Sequence, residues 1–340
     1  MEFRVEFIAM KRLFLIIALI INSSCGSNST GDKLVVYTSR QPQFIEPLFE
    51  QFTKETGIQI IHLSGDAQQL LERIYTEGET TSADLFITVD AGVLWQAAHR
   101  GILAKVSSEV LQTNIPAYLR DPENQWFGLS KRLRTIVVSN NALQKPPESY
   151  SDLASDEWSN RLCLRTSEKV YNQSLIASLI LNLGEAEAFQ VVKGWVNNLS
   201  TKVFSSDTLA LKAVQAGQCD ATIVNTYYFG RLLANDEGGN LNLIWANQDS
   251  TGVHVNISGG GVVKYSERPE QAIKLLEWLT SKWPQEKYAN LNLEYPVVEG
   301  IEVHPILKSW GEFKEDNLNA RILGELQQDA VLLAREADYD

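Results

Sequence analysis

The chain is 340 residues long, 44% hydrophobic and 21% charged, which is enough for two domains around a sizeable core and ordinary for a folded globular protein. Its net charge of -12 and sequence pI near 5.0 argue against a nucleic-acid partner, whose phosphates would be repelled. No stretch approaches the roughly 20 apolar residues that span a bilayer.

The N-terminus reads as an export signal. Met10-Lys11-Arg12 leads into the apolar run Leu13 to Ile21, followed by Asn22-Ser23-Ser24-Cys25-Gly26-Ser27. A basic segment, a short apolar segment and a small-residue site have the form of a secretory signal over residues 1–24, with Met10 the better start because Glu2 and Glu6 precede it. The residues before Cys25 resemble a bacterial lipobox, which implies lipidation of Cys25, although Asn22 stands where an aliphatic residue is expected. Residues 26–32 form a polar tether. With Cys25 lipidated, Cys163 and Cys219 remain as an even pair in an oxidising compartment and are expected to form a disulfide, two buried thiols being the alternative.

The elements that follow alternate in an α/β pattern. Leu34 to Thr38 is a predicted strand, and Ile45, Leu48, Phe49 and Phe52 mark one face of a helix ended by Gly57. Strands at 58–62 and 84–88 flank a helix around 70–75, giving a βαβαβ unit with a parallel sheet. Residues 126–141 contain Arg134-Thr-Ile-Val-Val-Ser139, a β-rich crossover. The pattern then returns as strand 161–165, helix 172–182, strand 201–205, helix 207–216 and strand 220–224, with Asp207 capping the last helix and Gly217 ending it. Two such units make two lobes.

Tyr227 and Tyr228 follow the last strand, at the sheet edge where α/β proteins place their ligand crevice. An isolated tyrosine pair is ordinarily amphipathic packing. The spacing adds to it: Tyr171 lies eight residues after Cys163 and Tyr227 eight after Cys219. If the two strands are parallel neighbours, Tyr171, Tyr227 and Tyr228 converge beyond one end and the cysteines face each other at the other. Phenolate is a hard oxygen ligand, and three of them neutralise a trivalent ion, so Fe³⁺ is the natural guest. His62, His99, His254 and His304 are scattered without HExxH spacing, and no CxxC occurs. Gly259-Gly260-Gly261 is not followed by Lys-Ser/Thr and reads as a backbone bend at a cleft or hinge. Ser258 lacks a nucleophile elbow. Trp126 is placed either in a cleft or in the core.

Taken in order, Tyr37-Thr-Ser-Arg40-Gln41-Pro42, Ser82 to Asp90, Trp126 to Arg132, Tyr171-Asn172-Gln173-Ser174, Asn225 to Tyr228, His254 to Gly261 and Glu294-Tyr295-Pro296 resemble the ferric-iron-binding periplasmic substrate-binding proteins of bacterial ABC importers. The resemblance implies a two-lobed type II periplasmic-binding fold joined by a β hinge, each lobe a mostly parallel sheet flanked by helices. It places residues 33–131 with 251–303 in one lobe and 132–250 with 304–340 in the other. It implies Tyr171, Tyr227 and Tyr228 as ligands of Fe³⁺, a monomer that delivers its ion to permease subunits in the inner membrane, and no catalysis. Many relatives carry His, or His-Tyr, where this chain has Gln41 and Pro42. A branch that reads Arg-Gln-Pro completes the metal shell with an anion such as carbonate, which assigns Arg40 to anion binding. Gln41, Asp90 and Asn225 are expected beside the site, Asp90 being one residue out of step with a first-lobe carboxylate of some relatives. The alternatives are a receptor for an anion or small organic solute, and an exported enzyme on the same scaffold.

Overall fold

The computed structural model describes residues 33–340; the predicted signal, Cys25 and the tether lie outside them. In chain order the elements are β1 (Lys33–Thr38), α1 (Pro42–Thr56), β2 (Gln59–Ser64), α2 (Ala67–Glu77), β3 (Leu85–Thr88), α3 (Ala91–His99), α4 (Glu109–Asn114), β4 (Phe127–Ser139), β5 (Leu162–Cys163), α5 (Val170–Leu183), α6 (Glu185–Asn197), α7 (Asp207–Gln215), β6 (Ala221–Asn225), α8 (Thr226–Ala234), β7 (Leu241–Ile244) and β8 (His254–Val262). They end with α9 (Pro269–Leu279), α10 (Lys282–Leu291), β9 (Tyr295–Pro296), α11 (Pro305–Ser309), α12 (Arg321–Glu325) and α13 (Gln327–Glu336).

Local chemistry sets many of these boundaries. Helix α1 begins with Pro42 in its first turn, buries Ile45, Leu48, Phe49 and Phe52, and stops at Gly57, whose φ of 76° suits a residue without Cβ. Asp66 caps α2 and Asp90 caps α3 through their carboxylates. Ser206, rather than the expected Asp207, caps α7. That leaves the Asp207 side chain inside the protein, where it pairs with Arg134.

The strands run in the order β2-β1-β3-β8-β4-β6-β5, with β7 and β9 also paired to β4. Parallel pairs lie toward the two ends, β1 with β2 and β3, and β5 with β6. Between them β4 and β8 run antiparallel to their neighbours, so the sheet is mixed. Strand β4 pairs with β8 over its first half and with β6 over its second, passing from one end of the sheet to the other. Residues 201–205 form no strand; the backbone there makes only the isolated bridge Arg165↔Phe204.

The three glycines of β8 do not bend it. A Cβ on Gly259 would stand 2.6 Å from the Phe127 carbonyl, and one on Gly261 2.5 Å from that of Gln125, so they admit close backbone approach. The irregularity lies on the partner strand, where the register shifts between Gly128 and Ser130. Trp126 is fully buried in the core. Cys163 and Cys219 are joined, with Cα atoms 5.8 Å apart. The register places Cys163 beside Thr222, so Cys219 reaches it from the turn before β6 and not from directly across the ladder. Among the described residues no helix is long and apolar enough to cross a membrane.

Candidate metal centre

Strands β5 and β6 each feed a helix whose first turn opens on the same crevice. Tyr171 is the second residue of α5, and Tyr227 and Tyr228 are the second and third of α8. The tyrosine pair therefore belongs to a helix start and not to a strand end. Neither helix has a side-chain cap, so the positive end of each helix dipole favours negative charge in the crevice. The rings of Tyr227 and Tyr228 lie 4.3 Å apart.

A cavity of about 110 Å³ lies at these helix starts, lined by Tyr171, Tyr227 and Tyr228 together with Arg40, Arg132, Arg231 and Glu294. Ser39, Gln41, Phe44 and Val89 complete its wall. Every other residue of β4 from Ser130 points the same way along the strand. Ser130 donates to Glu294, Arg132 Nη2 donates to Glu294 Oε1 at 3.1 Å, and Arg134 goes deeper to Asp207 at 3.1 Å. Arg132 Nη1 donates to the phenol oxygens of Tyr171 at 3.2 Å and Tyr227 at 3.5 Å. One guanidinium nitrogen thus touches two phenols.

Burial raises the pKa of Tyr227, and neighbouring Tyr171 adds to it, with Arg132 opposing. Tyr228 is raised by burial, then by Tyr171 and Asp207. Without a cation the Tyr227 and Tyr228 phenols stay protonated; a multivalent ion in the cavity would reverse the balance. Glu294 shows the opposite behaviour. Burial acts to raise its pKa, but Arg132, Arg40 and the Ser130 hydroxyl outweigh it and hold the carboxyl at about 2.

Arg40 lines the cavity, but the Nη end of its guanidinium is taken up, which leaves only its buried Nε unpaired. Nη1 and Nη2 donate to the two oxygens of Glu294 at 3.1 and 3.2 Å, a fork-to-fork pair buried at both ends. Gln41 is exposed at the mouth and accepts from Gln43. Asp90 lies behind the wall, fully buried, accepting from Ser174 at 2.9 Å and Asn256 at 2.7 Å while it caps α3. Asn225 donates to the Tyr227 oxygen at 3.2 Å. Among the described residues no group of three or more His, Cys, Asp or Glu is placed to hold a metal ion. His62 pairs with Glu46, His99 stacks on Trp95, His304 caps α11 and His254 is buried.

Arg132, Arg231 and Glu294 carry no role in the sequence reading. Ser130, Arg132 and Arg134 at every second position of a predicted crossover signal a polar strand face. Glu294 enters only in the segment Glu294-Tyr295-Pro296, with no role attached, because its partner Arg132 lies 162 residues away in the chain.

Residues 80–314 match the family model described as bacterial extracellular solute-binding protein. The chain belongs to that family. It is 39% identical over 334 residues to iron uptake protein A1 of Synechocystis sp. (strain ATCC 27184 / PCC 6803 / Kazusa), covering 93% of this chain and 92% of that one. A Trichodesmium protein solved in complex with iron and citrate ligands superposes with a TM-score of 0.86 at 41% identity, covering 91% of this chain and 100% of that one. The apo ferric ion-binding protein A of Pasteurella haemolytica gives 0.85 at 36% identity, over 91% and 98%. Within its family the chain groups with these ferric-iron-binding proteins of ABC importers, which have the type II periplasmic-binding fold and bind solutes without transforming them.

Proposed function

We propose that this protein captures ferric iron between two lobes, on the phenolates of Tyr171, Tyr227 and Tyr228, and delivers it to an ABC permease. The observation that carries this reading is the convergence of all three phenols and the Arg132 guanidinium on one cavity of about 110 Å³. That space suits an ion with a few oxygen ligands and is small for a sugar or peptide. Hard phenolate oxygens, with no imidazole or thiolate beside them, favour Fe³⁺ over softer divalent ions. The likeness to an iron uptake protein and to a structure holding iron and citrate supports the same cargo. The lobes are 33–131 with 251–303 and 132–250 with 304–340, with β4 crossing between them and the chain returning just before β8.

Three phenolates leave half of an octahedral shell open. The cavity carries three guanidiniums against one carboxylate, and three phenolates only balance Fe³⁺ itself, so the loaded site still attracts an anion. A small oxyanion such as carbonate, or citrate as in the Trichodesmium complex, meets both needs. Since Glu294 occupies the Arg40 fork, Arg231 is the better anchor: among the described residues its guanidinium pairs with no carboxylate and donates to the Asn292 carbonyl at 3.2 Å. Arg40 then acts by holding Glu294. The protein works outside the cytoplasmic membrane, tethered by lipid at Cys25, with a Cys163–Cys219 bridge formed in that oxidising compartment.

Titration of metal-free protein with a ferric salt tests the reading. A visible phenolate-to-iron charge-transfer band that saturates at one ion per chain is expected. No band, or equal tight binding of zinc and ferric ions, contradicts it.

A further inference from the structure

Arg134 lies one layer beneath the cavity and is 1% exposed. Its Nε donates to Asn172 Oδ1 at 2.9 Å and its Nη1 to Asn225 Oδ1 at 3.3 Å. It is fixed by Asp207, at 3.1 and 3.4 Å, and by the Ile223 carbonyl at 3.0 Å. A guanidinium has only donors, whereas an asparagine amide offers a donor end and an acceptor end of nearly equal shape. Arg134 therefore decides which way Asn225 faces, and at Asn172 it agrees with two backbone carbonyls that hold the nitrogen end. Both asparagine oxygens turn to it and both nitrogens turn away.

The consequence differs at the two sites. Asn172 Nδ2 donates to the Arg165 carbonyl at 2.9 Å, the Thr166 carbonyl at 3.0 Å and the Tyr339 hydroxyl at 2.9 Å, and Tyr339 in turn donates to the Arg165 carbonyl at 2.6 Å. This fastens the turn that carries Tyr171. Asn225 Nδ2 donates to the Tyr227 oxygen at 3.2 Å. That oxygen also receives Arg132, so both of these contacts are hydrogen bonds it accepts.

We propose that Arg134 is a positioning residue that sets the polarity of Asn225, so that the Tyr227 phenolate carries a fixed amide donor while it binds iron. The inference rests on the reading of Tyr227 as an iron ligand. A donor on a ligating phenolate stabilises the charge on oxygen and weakens its donation to the metal. Charge transfer from Tyr227 then needs more energy, and the bound ferric ion is easier to reduce. The asparagine tunes how firmly the site keeps iron and how readily a reductant takes it.

The test is the visible and resonance Raman spectrum of the ferric complex. Asn225→Leu removes the donor and is expected to move the charge-transfer band to longer wavelength. The Arg134→Leu/Asp207→Leu double variant removes a buried charge pair together, and by freeing Asn225 it is expected to move the band the same way. Wild-type protein, which needs no variant to fold, is expected to show a phenolate C–O stretch that shifts after equilibration in D₂O. Bands in both variants that coincide with the wild type, or a stretch indifferent to D₂O, overturn the donor assignment. A wild-type protein without any charge-transfer band overturns the iron reading instead, which keeps the two failures distinct.

Discussion

Arg132 and Glu294 meet at 3.1 Å in the cleft wall, exposed by only 5% and 2%, and Glu294 holds Arg40 as well. One carboxylate thus offsets two guanidiniums next to the phenols. Taking away one partner of a buried pair leaves uncompensated charge and typically costs about 3–5 kcal/mol. Glu294→Gln is therefore expected to lower stability by about that amount, read as a fall in melting temperature. It also adds one positive charge beside the ferric site, so competition with a chelator will show weaker iron binding. An unchanged melting temperature and affinity would count against this role.

His254 predicts the acid response. Burial first, and Arg134 next, depress its pKa to about 3 from the ordinary 6.5. The folded state binds its proton less readily than the unfolded chain, so this stabilisation is complete above pH 6.5 and is lost as pH falls toward 3. The loss is about 1.4 kcal/mol per pH unit within that window. In His254→Gln the stability curve between pH 6 and 4 should be flatter than wild type by roughly this slope. Parallel curves from chemical denaturation would refute it.

Much of the scaffold was legible because its signals are local. Ile45, Leu48, Phe49 and Phe52 stand at helical spacing before Gly57, and the helix occurs where they place it. Val35, Val36 and Tyr37 are strand formers and lie in β1. Tyr227, Tyr228 and Phe229 prefer strands too, yet they form a helix: burying Tyr227 and Phe229 in α8 outweighs that preference. Residues 201–205 look like a strand but find no continuous partner ladder. The site divides in the same manner. Its tyrosines could be read from spacing, whereas the Arg40–Glu294–Arg132 cluster exists only after segments more than 160 residues apart have packed.

The Cys163–Cys219 bridge closes a segment with a sequence separation of 56 and ties β5 to the turn before β6, these being the two strands that lead into the tyrosine-bearing helices. The chain-entropy model gives roughly 4 kcal/mol for such a loop, before any native-state strain is subtracted. Cys163→Ala/Cys219→Ala should lose up to about that much stability, and intact mass with and without reductant should differ by two hydrogens in the wild type. Two alkylatable thiols in protein isolated from an oxidising compartment would refute the bridge.

The anion assignment separates Arg231 from Arg40. Ferric affinity in wild type should rise with bicarbonate or citrate. Arg231→Ala should lose that dependence while it keeps the tyrosine colour, and Arg40→Ala should keep the dependence but melt lower, because Glu294 then keeps one guanidinium, Arg132, and the Ser130 hydroxyl. If Arg40→Ala alone abolishes the anion effect, the free guanidinium expected from the sequence is the true anchor.

The most direct test of the account is the ferric charge-transfer band in the tyrosine series. Tyr171→Phe, Tyr227→Phe and Tyr228→Phe keep each ring and remove one ligand oxygen. Each should reduce the band and weaken iron binding by more than the roughly 10–100-fold typical of groups outside the metal shell. The triple variant should be colourless while its far-ultraviolet circular dichroism remains that of the wild type. A folded triple variant that still turns coloured and binds ferric iron with wild-type affinity would contradict the claim that these three phenols are the iron site.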